Sequence, residues 1–304
     1  MSTTSTGSSS SSRSGRAPPA VRVPEGAAEV AAALRALGVR PSKIWGQSFL
    51  TDAFVADAEA ALTEVSPGRP VLEVGGGLGA LTAALVRRGL APITVLERDP
   101  RLAGFLRTTF GSRVRVVTGD ALEVELPSVD CAIGNLPYSV ATPILLRLLE
   151  RRVPRIVALV QREVADRLAA PPGSKAYGRL SIFARLYGDV ELFRTVGADA
   201  FAPRPEVESR LVVLVARTGE LPVPSVADLE AMVRTLFSSR RKQLGNLLPR
   251  VAGDRDAARR LAERAGWPDD WATRRPETLS PSDYFAMARV LKRPPRSGPP
   301  RAKP

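Results

Sequence analysis

Glu73-Val74-Gly75-Gly76-Gly77-Leu78-Gly79 is a stretch whose residue types and spacing point to a ligand. Glycines set directly behind a short apolar run allow a tight turn, and they let backbone N–H groups approach a bound molecule closely. Glu97 follows at the end of a second apolar run. A carboxylate there can accept both hydroxyls of a ribose. Two cofactor classes meet these requirements. Gly75-x-Gly77-x-x-Ala80 fits the relaxed dinucleotide fingerprint of NAD enzymes. Glu73-x-Gly75-x-Gly77-x-Gly79 fits the S-adenosylmethionine loop of class I methyltransferases. The loop alone does not separate them. Asp120, in Gly119-Asp120 after a third apolar run, weighs toward the second. An acid at that point can hydrogen-bond the exocyclic amine of the cofactor's adenine.

Asn135-Leu136-Pro137-Tyr138 follows a fourth apolar run. Pro137 stops a strand's hydrogen-bond ladder and biases Leu136 toward an extended conformation. Carbonyls of the segment then face the C-terminal edge of the sheet, where open α/β sheets bind ligands. Asn135 adds a neutral side-chain oxygen and Tyr138 an aromatic face. These groups match one chemical problem. An adenine amine is a poor nucleophile because its lone pair is delocalised into the ring. Two acceptors on its N–H groups favour a pyramidal nitrogen, and an aromatic face holds a flipped base. A sulfonium methyl is already electrophilic, so neither a metal nor a strong base is required. That fits a chain with no histidine and a single cysteine, Cys131. Such a chain excludes Ser-His-Asp and Cys-His catalysis, His-ligated or Cys₄ zinc and any intrachain disulfide. The plainer readings are a ligand-free glycine turn and a strand-ending Asn-x-Pro-Tyr turn.

These residues need strands to position them. Residues 70–74, 93–96, 114–117, 129–133 and 156–160 read as buried strands. Helical spacing covers 78–88, 101–109, 142–150 and 162–169. Alternation at this pace predicts βαβ units and a mostly parallel sheet, hence an α/β fold; under the S-adenosylmethionine reading of the glycine loop and Asp120, it would be Rossmann-like, of the class I methyltransferase kind. Residues 189–193 and 211–215 are two further strand candidates. Beyond Pro224 the pattern is helical only, and Ser280-Pro281-Ser282-Asp283 reads as a helix start with Ser280 as N-cap. The expected organisation is a tail over 1–20, a methyltransferase domain over 21–217, a small helical domain over 218–291 and a basic tail over 292–304.

The chain has 304 residues, 44% of them apolar and 25% charged, which is ordinary globular composition. No stretch approaches the roughly 20 uncharged apolar residues that a membrane helix needs. The expected location is therefore cytoplasmic, with organelle targeting by the Ser-rich, acid-free start as the alternative. Net charge is +13. Residues 21–150 hold 13 basic and 14 acidic side chains, whereas 151–250 hold 17 and 10. A near-neutral first half joined to a basic middle points to a polyanion met by one part of the molecule.

The sequence resembles the small-subunit rRNA adenine dimethyltransferases from about Lys43 to Arg289. The likeness lies in Gly46-Gln47-Ser48-Phe49-Leu50, the glycine loop, Asn135-Leu136-Pro137-Tyr138 and Gln161-Arg162-Glu163-Val164. It continues in Tyr177-Gly178-Arg179-Leu180-Ser181, Phe201-x-Pro203-x-Pro205-x-Val207 and Arg240-Arg241-Lys242. The resemblance implies transfer of two methyls to each of two adjacent adenines near the 3′ end of small-subunit rRNA. It also implies S-adenosylmethionine as cofactor, with no metal, and action during subunit assembly; a monomer is expected. It implies cofactor contacts at Ser48, Leu50, Gly75, Gly77, Glu97, Asp120 and Asn135. Target-adenine contacts fall on Asn135, Leu136, Pro137 and Tyr138, and on Phe201, which would sandwich the base against Tyr138. Arg240, Arg241 and Lys242 would contact rRNA phosphates. Phe201 also reads as a core aromatic, and the basic triplet as a solvated helix face. The chain departs from the family at Ser48, usually Asn, and at Gly76, usually Pro. Three rivals remain: a large-subunit rRNA adenine methyltransferase of the macrolide-resistance (Erm) type, a non-catalytic assembly factor and an NAD oxidoreductase.

Overall fold

The computed structural model describes residues 21–42 and 46–291. The strands in chain order are β1 (Phe49–Leu50), β2 (Val71–Val74), β3 (Ile93–Glu97), β4 (Arg115–Thr118), β5 (Cys131–Asn135) and β6 (Arg155–Gln161). β7 (Gly188–Val196), β8 (Phe201–Ala202) and β9 (Ser209–Ala216) follow. Seven of them form one sheet in the order β4-β3-β2-β5-β6-β9-β7. β4, β3, β2, β5 and β6 run parallel. β9 inserts antiparallel between β6 and β7. All seven strands expected from the sequence are present within a residue or two at most ends, as are the helices Ala80–Arg87, Pro100–Phe110, Ala141–Glu150 and Arg162–Ala169.

Burial explains the order of the strands. β2 is buried at every position, and β5 and β6 are buried except at their ends. Strands covered by helices on both faces read as near-continuous apolar runs, broken in β2 by the buried Glu73. Edge strand β4 exposes Arg115 and Thr118 instead. Side chains alternate between the two faces. Leu72, Val74, Ala132, Ile156 and Ala158 join one cluster, whereas Val71, Ile133, Val157 and Val213 join another with Val55, Ala56 and Leu85. Helices Ala53–Ala61 and Ala80–Arg87 cover that second face.

The first cluster does not stop where the strands stop. It runs on into Leu229, Met232, Leu236, Leu244, Leu261, Tyr284 and Met287 of the C-terminal helices. Phe237 lies between Tyr177 and Tyr284, with ring centroids 6.4 and 6.1 Å away. The sequence boundary at 217 therefore marks a change of secondary structure inside one apolar core. The helix Pro281–Val290 starts as its sequence predicts: Ser280 accepts from the Asp283 backbone, and the Asp283 carboxylate accepts from Ser280.

Three helices lie outside the predicted set: Gly26–Ala36, Ala53–Ala61 and Arg179–Tyr187. Arg179–Tyr187 is buried on more than one side, and Ala53–Ala61 buries Glu59 while exposing Phe54, so neither carries a clear amphipathic signal. The expected tails over 1–20 and 292–304 lie outside the described residues. Among the described residues, no helix is long and apolar enough to cross a membrane.

Candidate active site

The C-terminal ends of β2, β3 and β5 open into one cleft of about 270 Å³. A second cavity, near Val23 and Arg87, holds about 10 Å³, the space of one water. The larger cleft has two walls.

The first wall is built locally. The chain leaves β2 through Gly75, Gly77 and Gly79, whose φ angles are +84°, +55° and +84°. Side chains with a Cβ disfavour this left-handed region, so the tight turn needs glycine. The Gly75 N–H donates to the Leu96 carbonyl at 2.8 Å, which fastens the loop to β3. Glu97 then acts as an anchor. Its carboxylate accepts the Gly77 N–H and the Asp99 N–H, each at 2.8 Å. A carboxylate oxygen has two acceptor sites, so each retains capacity for a ligand hydroxyl. Burial raises the Glu97 carboxyl above its ordinary pKa, and the Asp99 and Gly77 N–H groups oppose the shift. Beneath the loop, buried Glu73 accepts from the Thr82 hydroxyl at 2.6 Å. Burial pushes its carboxyl up to about 8, with the Thr82 hydrogen bond working against the shift. Asp120 lines the cleft after β4. It accepts from the Leu122 N–H at 2.8 Å and pairs with Arg98 at 3.3 Å.

The second wall is built from distant segments. β5 delivers Asn135 to the cleft, and the Leu136 N–H donates to the Leu159 carbonyl at 3.1 Å. The Val140 N–H donates to Pro137 at 3.0 Å and closes the turn that holds Tyr138. The Asn135 amide donates to the Ser48 carbonyl at 3.1 Å, which leaves its oxygen as the group able to accept from a ligand. The Ser48 hydroxyl donates to the Pro203 carbonyl at 2.7 Å. Tyr138, half-buried, shares a short hydrogen bond with Ser209, and burial raises its phenol above the ordinary value. β1 pairs antiparallel with β8, Leu50 opposite Phe201, and so brings Ser48 and Leu50 to the cleft.

Of the expected site residues, Ser48, Leu50, Gly75, Gly77, Glu97, Asp120 and Asn135 to Tyr138 all line this cleft. Two of the expected residues are placed differently. Phe201 does not line it. Its ring is 3% exposed, in one apolar cluster with Leu50, Val196, Ala200 and Leu211. The sandwich against Tyr138 is therefore absent from this arrangement. Arg240 does not offer its charge outward as expected of a phosphate contact. It donates to the carbonyls of Lys175 and Ser174 at 2.8 and 2.9 Å. The helix Val226–Phe237 ends before it, so the triplet lies in a turn rather than on a helix face, with Arg241 and Lys242 exposed. Ser209 went unnoticed in the sequence. A serine opening an apolar run has no signal of its own until the fold brings it to Tyr138. Arg98 also lines the cleft and was not anticipated.

Residues 40–263 match the family model described as ribosomal RNA adenine dimethylase. The chain is 39% identical over 256 residues to a probable ribosomal RNA small subunit methyltransferase A of Halobacterium salinarum, covering 83% of this chain and 90% of that one. It is 41% identical over 254 residues to ribosomal RNA small subunit methyltransferase A of Streptomyces coelicolor, covering 79% and 88%. A dimethyladenosine transferase from Plasmodium falciparum shares the fold at TM-score 0.67 and 22% identity, over 79% of this chain and 95% of that one. The 23S rRNA methyltransferase ErmE superposes at TM-score 0.61 with 26% identity, over 80% and 99%. The match to the family model and the identity to these relatives over most of the chain show that it belongs to the ribosomal RNA adenine dimethylase family.

Proposed function

We propose that this chain is an rRNA adenine dimethyltransferase acting on the small subunit, with S-adenosylmethionine as methyl donor. Its targets in this reading are the exocyclic N6 atoms of two adjacent adenines near the 3′ end of the rRNA. The observation that carries the reading is the single cleft that sets Asn135-Leu136-Pro137-Tyr138 opposite the glycine loop and Glu97. The donor set suits the cofactor: Glu97 for the ribose hydroxyls, Asp120 for the adenine amine, and Gly75 and Gly77 for close backbone approach. When bound, the cofactor supplies a methyl made electrophilic by its sulfonium.

The chain's own residues do the rest. The Asn135 oxygen and the Leu136 carbonyl accept the two N6 hydrogens, which aims the nitrogen lone pair toward the cofactor wall. Tyr138 supplies the face on which the flipped base rests. A neutral Asn avoids the cost of desolvating a carboxylate beside the cofactor. Residues 21–217 are proposed as the methyl-transfer part and 218–291 as an rRNA-docking part, with Arg241 and Lys242 facing phosphates. The proposed setting is the cytoplasm, and the proposed active form is the monomer.

The Erm-type rival shares the architecture, but the relatives near 40% identity carry the small-subunit name. An NAD oxidoreductase leaves the tetrapeptide without a task. A non-catalytic factor leaves intact Glu97, Asp120, Asn135 and Tyr138 unexplained. The test supplies labelled S-adenosylmethionine to unmethylated small subunits and, in parallel, to unmethylated large subunits, followed by digestion and mass spectrometry of the nucleosides. Dimethyladenosine in small-subunit rRNA is the expected product. Label confined to large-subunit rRNA, or tight binding with no transfer, overturns the assignment in favour of the first or last rival.

A further inference from the structure

Both base-facing residues of the second wall are tied to one stretch of chain, the segment that runs from β8 into β9. At its start the Pro203 carbonyl accepts the Ser48 hydroxyl at 2.7 Å, and the Ser48 carbonyl in turn accepts the Asn135 amide at 3.1 Å. At its end Ser209, fully buried, meets the Tyr138 hydroxyl. Ser209 is itself fixed from both sides, paired with Gln161 of β6 and with Val196 of β7. A buried hydroxyl is costly unless it is hydrogen-bonded. Among the described residues, the side-chain partner found for Ser209 is Tyr138.

We infer that Ser209 and Ser48 are positioning residues for the methyl acceptor, holding Tyr138 and Asn135 in place, and that neither acts through the cofactor. The inference rests on the reading of Asn135 and Tyr138 as the adenine site. An aromatic ring tethered only at Cβ can change rotamer, whereas one tethered at its hydroxyl as well keeps one plane. A fixed plane matters because a small misalignment of the acceptor nitrogen lowers the rate steeply. With its hydroxyl spent on Pro203, Ser48 serves this chain through its backbone carbonyl. That accounts for the tolerance of Ser where the family usually has Asn.

The test uses the full chain with Tyr138→Phe, Ser209→Ala, their combination and Ser48→Ala. Three quantities are read: single-turnover methyl transfer to unmethylated small subunits, calorimetric affinity for S-adenosylmethionine, and thermal stability. Tyr138→Phe and Ser209→Ala are each expected to slow transfer about tenfold, as the loss of one orienting hydrogen bond implies. The double variant is expected to be no slower than either single one, because both remove the same bond. Ser48→Ala is expected to slow transfer about threefold. Cofactor affinity should stay within about twofold in all four, because the Ser48 hydroxyl, which the resemblance assigned to the cofactor, is engaged by Pro203, and the other side chains are assigned to the acceptor. Ser209→Cys keeps a weaker donor and should recover part of the rate; it also replaces Ser209→Ala if that variant melts early.

Additive losses in the double variant overturn the inference, as do wild-type rates in the serine variants. A marked loss of cofactor affinity in Ser48→Ala overturns it as well. Asn135→Ala separates this from failure of the underlying reading. If it retains full activity, the adenine site itself is wrong. If it is inactive while the serine variants match wild type, only the positioning role is lost.

Discussion

The two walls of the cleft are assembled in different ways. The cofactor-side wall is made by neighbours in sequence. Gly77 reaches Glu97, and Thr82 reaches Glu73, within a single β-α-β unit. The acceptor-side wall draws Ser48, Asn135, Tyr138, Pro203 and Ser209 from three separate stretches. Spacing within one β-α-β unit is fixed by local turn geometry, whereas the acceptor wall exists only once the whole sheet has closed. The first wall therefore tolerates little local change, and the second depends on contacts far along the chain.

Asn135→Ala offers the sharpest test of this division. Methyl transfer should fall by roughly 100-fold or more, because the group accepting from the N6 amine is gone. Cofactor affinity should hardly move; a matching loss of affinity would merge the two walls. Glu97→Ala should do the reverse, weakening S-adenosylmethionine binding by about 10- to 100-fold, as expected for lost charge-assisted hydrogen bonds. Saturating cofactor should restore the maximal rate, and a persistent rate defect would contradict a purely binding role.

The walls should also differ in their response to pH. Native Glu73 keeps its proton up to about 8, whereas an ordinary carboxyl releases it near 4.5. Between those values the folded state binds more protons than the unfolded one, so stability falls as pH rises. Glu73→Gln should flatten that decline in melting temperature from pH 5 to 8. Buried Glu59, shifted in the same direction by its burial, leaves part of the slope. An unchanged slope in Glu73→Gln would show that Glu73 does not hold its proton.

The smallest effect is expected outside both walls. Arg241→Ala with Lys242→Ala should lower the salt slope of rRNA binding by about 1.4, at roughly 0.7 per phosphate contact on single strands. Arg240→Ala should instead cost about 1 kcal/mol of stability, through its lost bonds to the Ser174 and Lys175 carbonyls. Equal effects on the salt slope would put Arg240 back among the phosphate contacts.

The same division explains what could be read from sequence. Apolar runs ending in Gly, Glu, Asp and Asn located β2 to β5 and brought Glu97, Asp120 and Asn135 at their tips to the cleft, because strand ends and turns leave a local signature. Phe201 was expected in the site from the family resemblance, and its proline-rich surroundings read as a loop. Its place opposite Leu50 joins segments about half the chain apart and leaves no trace in local sequence. Ser209 was invisible for the same reason. Arg240 sat in a basic triplet whose composition says nothing about which guanidinium folds back onto carbonyls.

The ring of Phe237 between Tyr177 and Tyr284 bears on how this molecule could be divided. A fragment ending at Arg217 would uncover Tyr177, which packs on Phe237, and Leu180 of the helix Arg179–Tyr187, which packs on the C-terminal helices; both are buried in the whole chain. Uncovering side chains of that size costs about 1.5–3 kcal/mol each, a large part of a typical domain's stability. The catalytic sheet and the helices behind it are thus poor interchangeable modules. Grafting these helices onto another methyltransferase would require rebuilding the surface that receives them, and the intact chain should melt in a single transition.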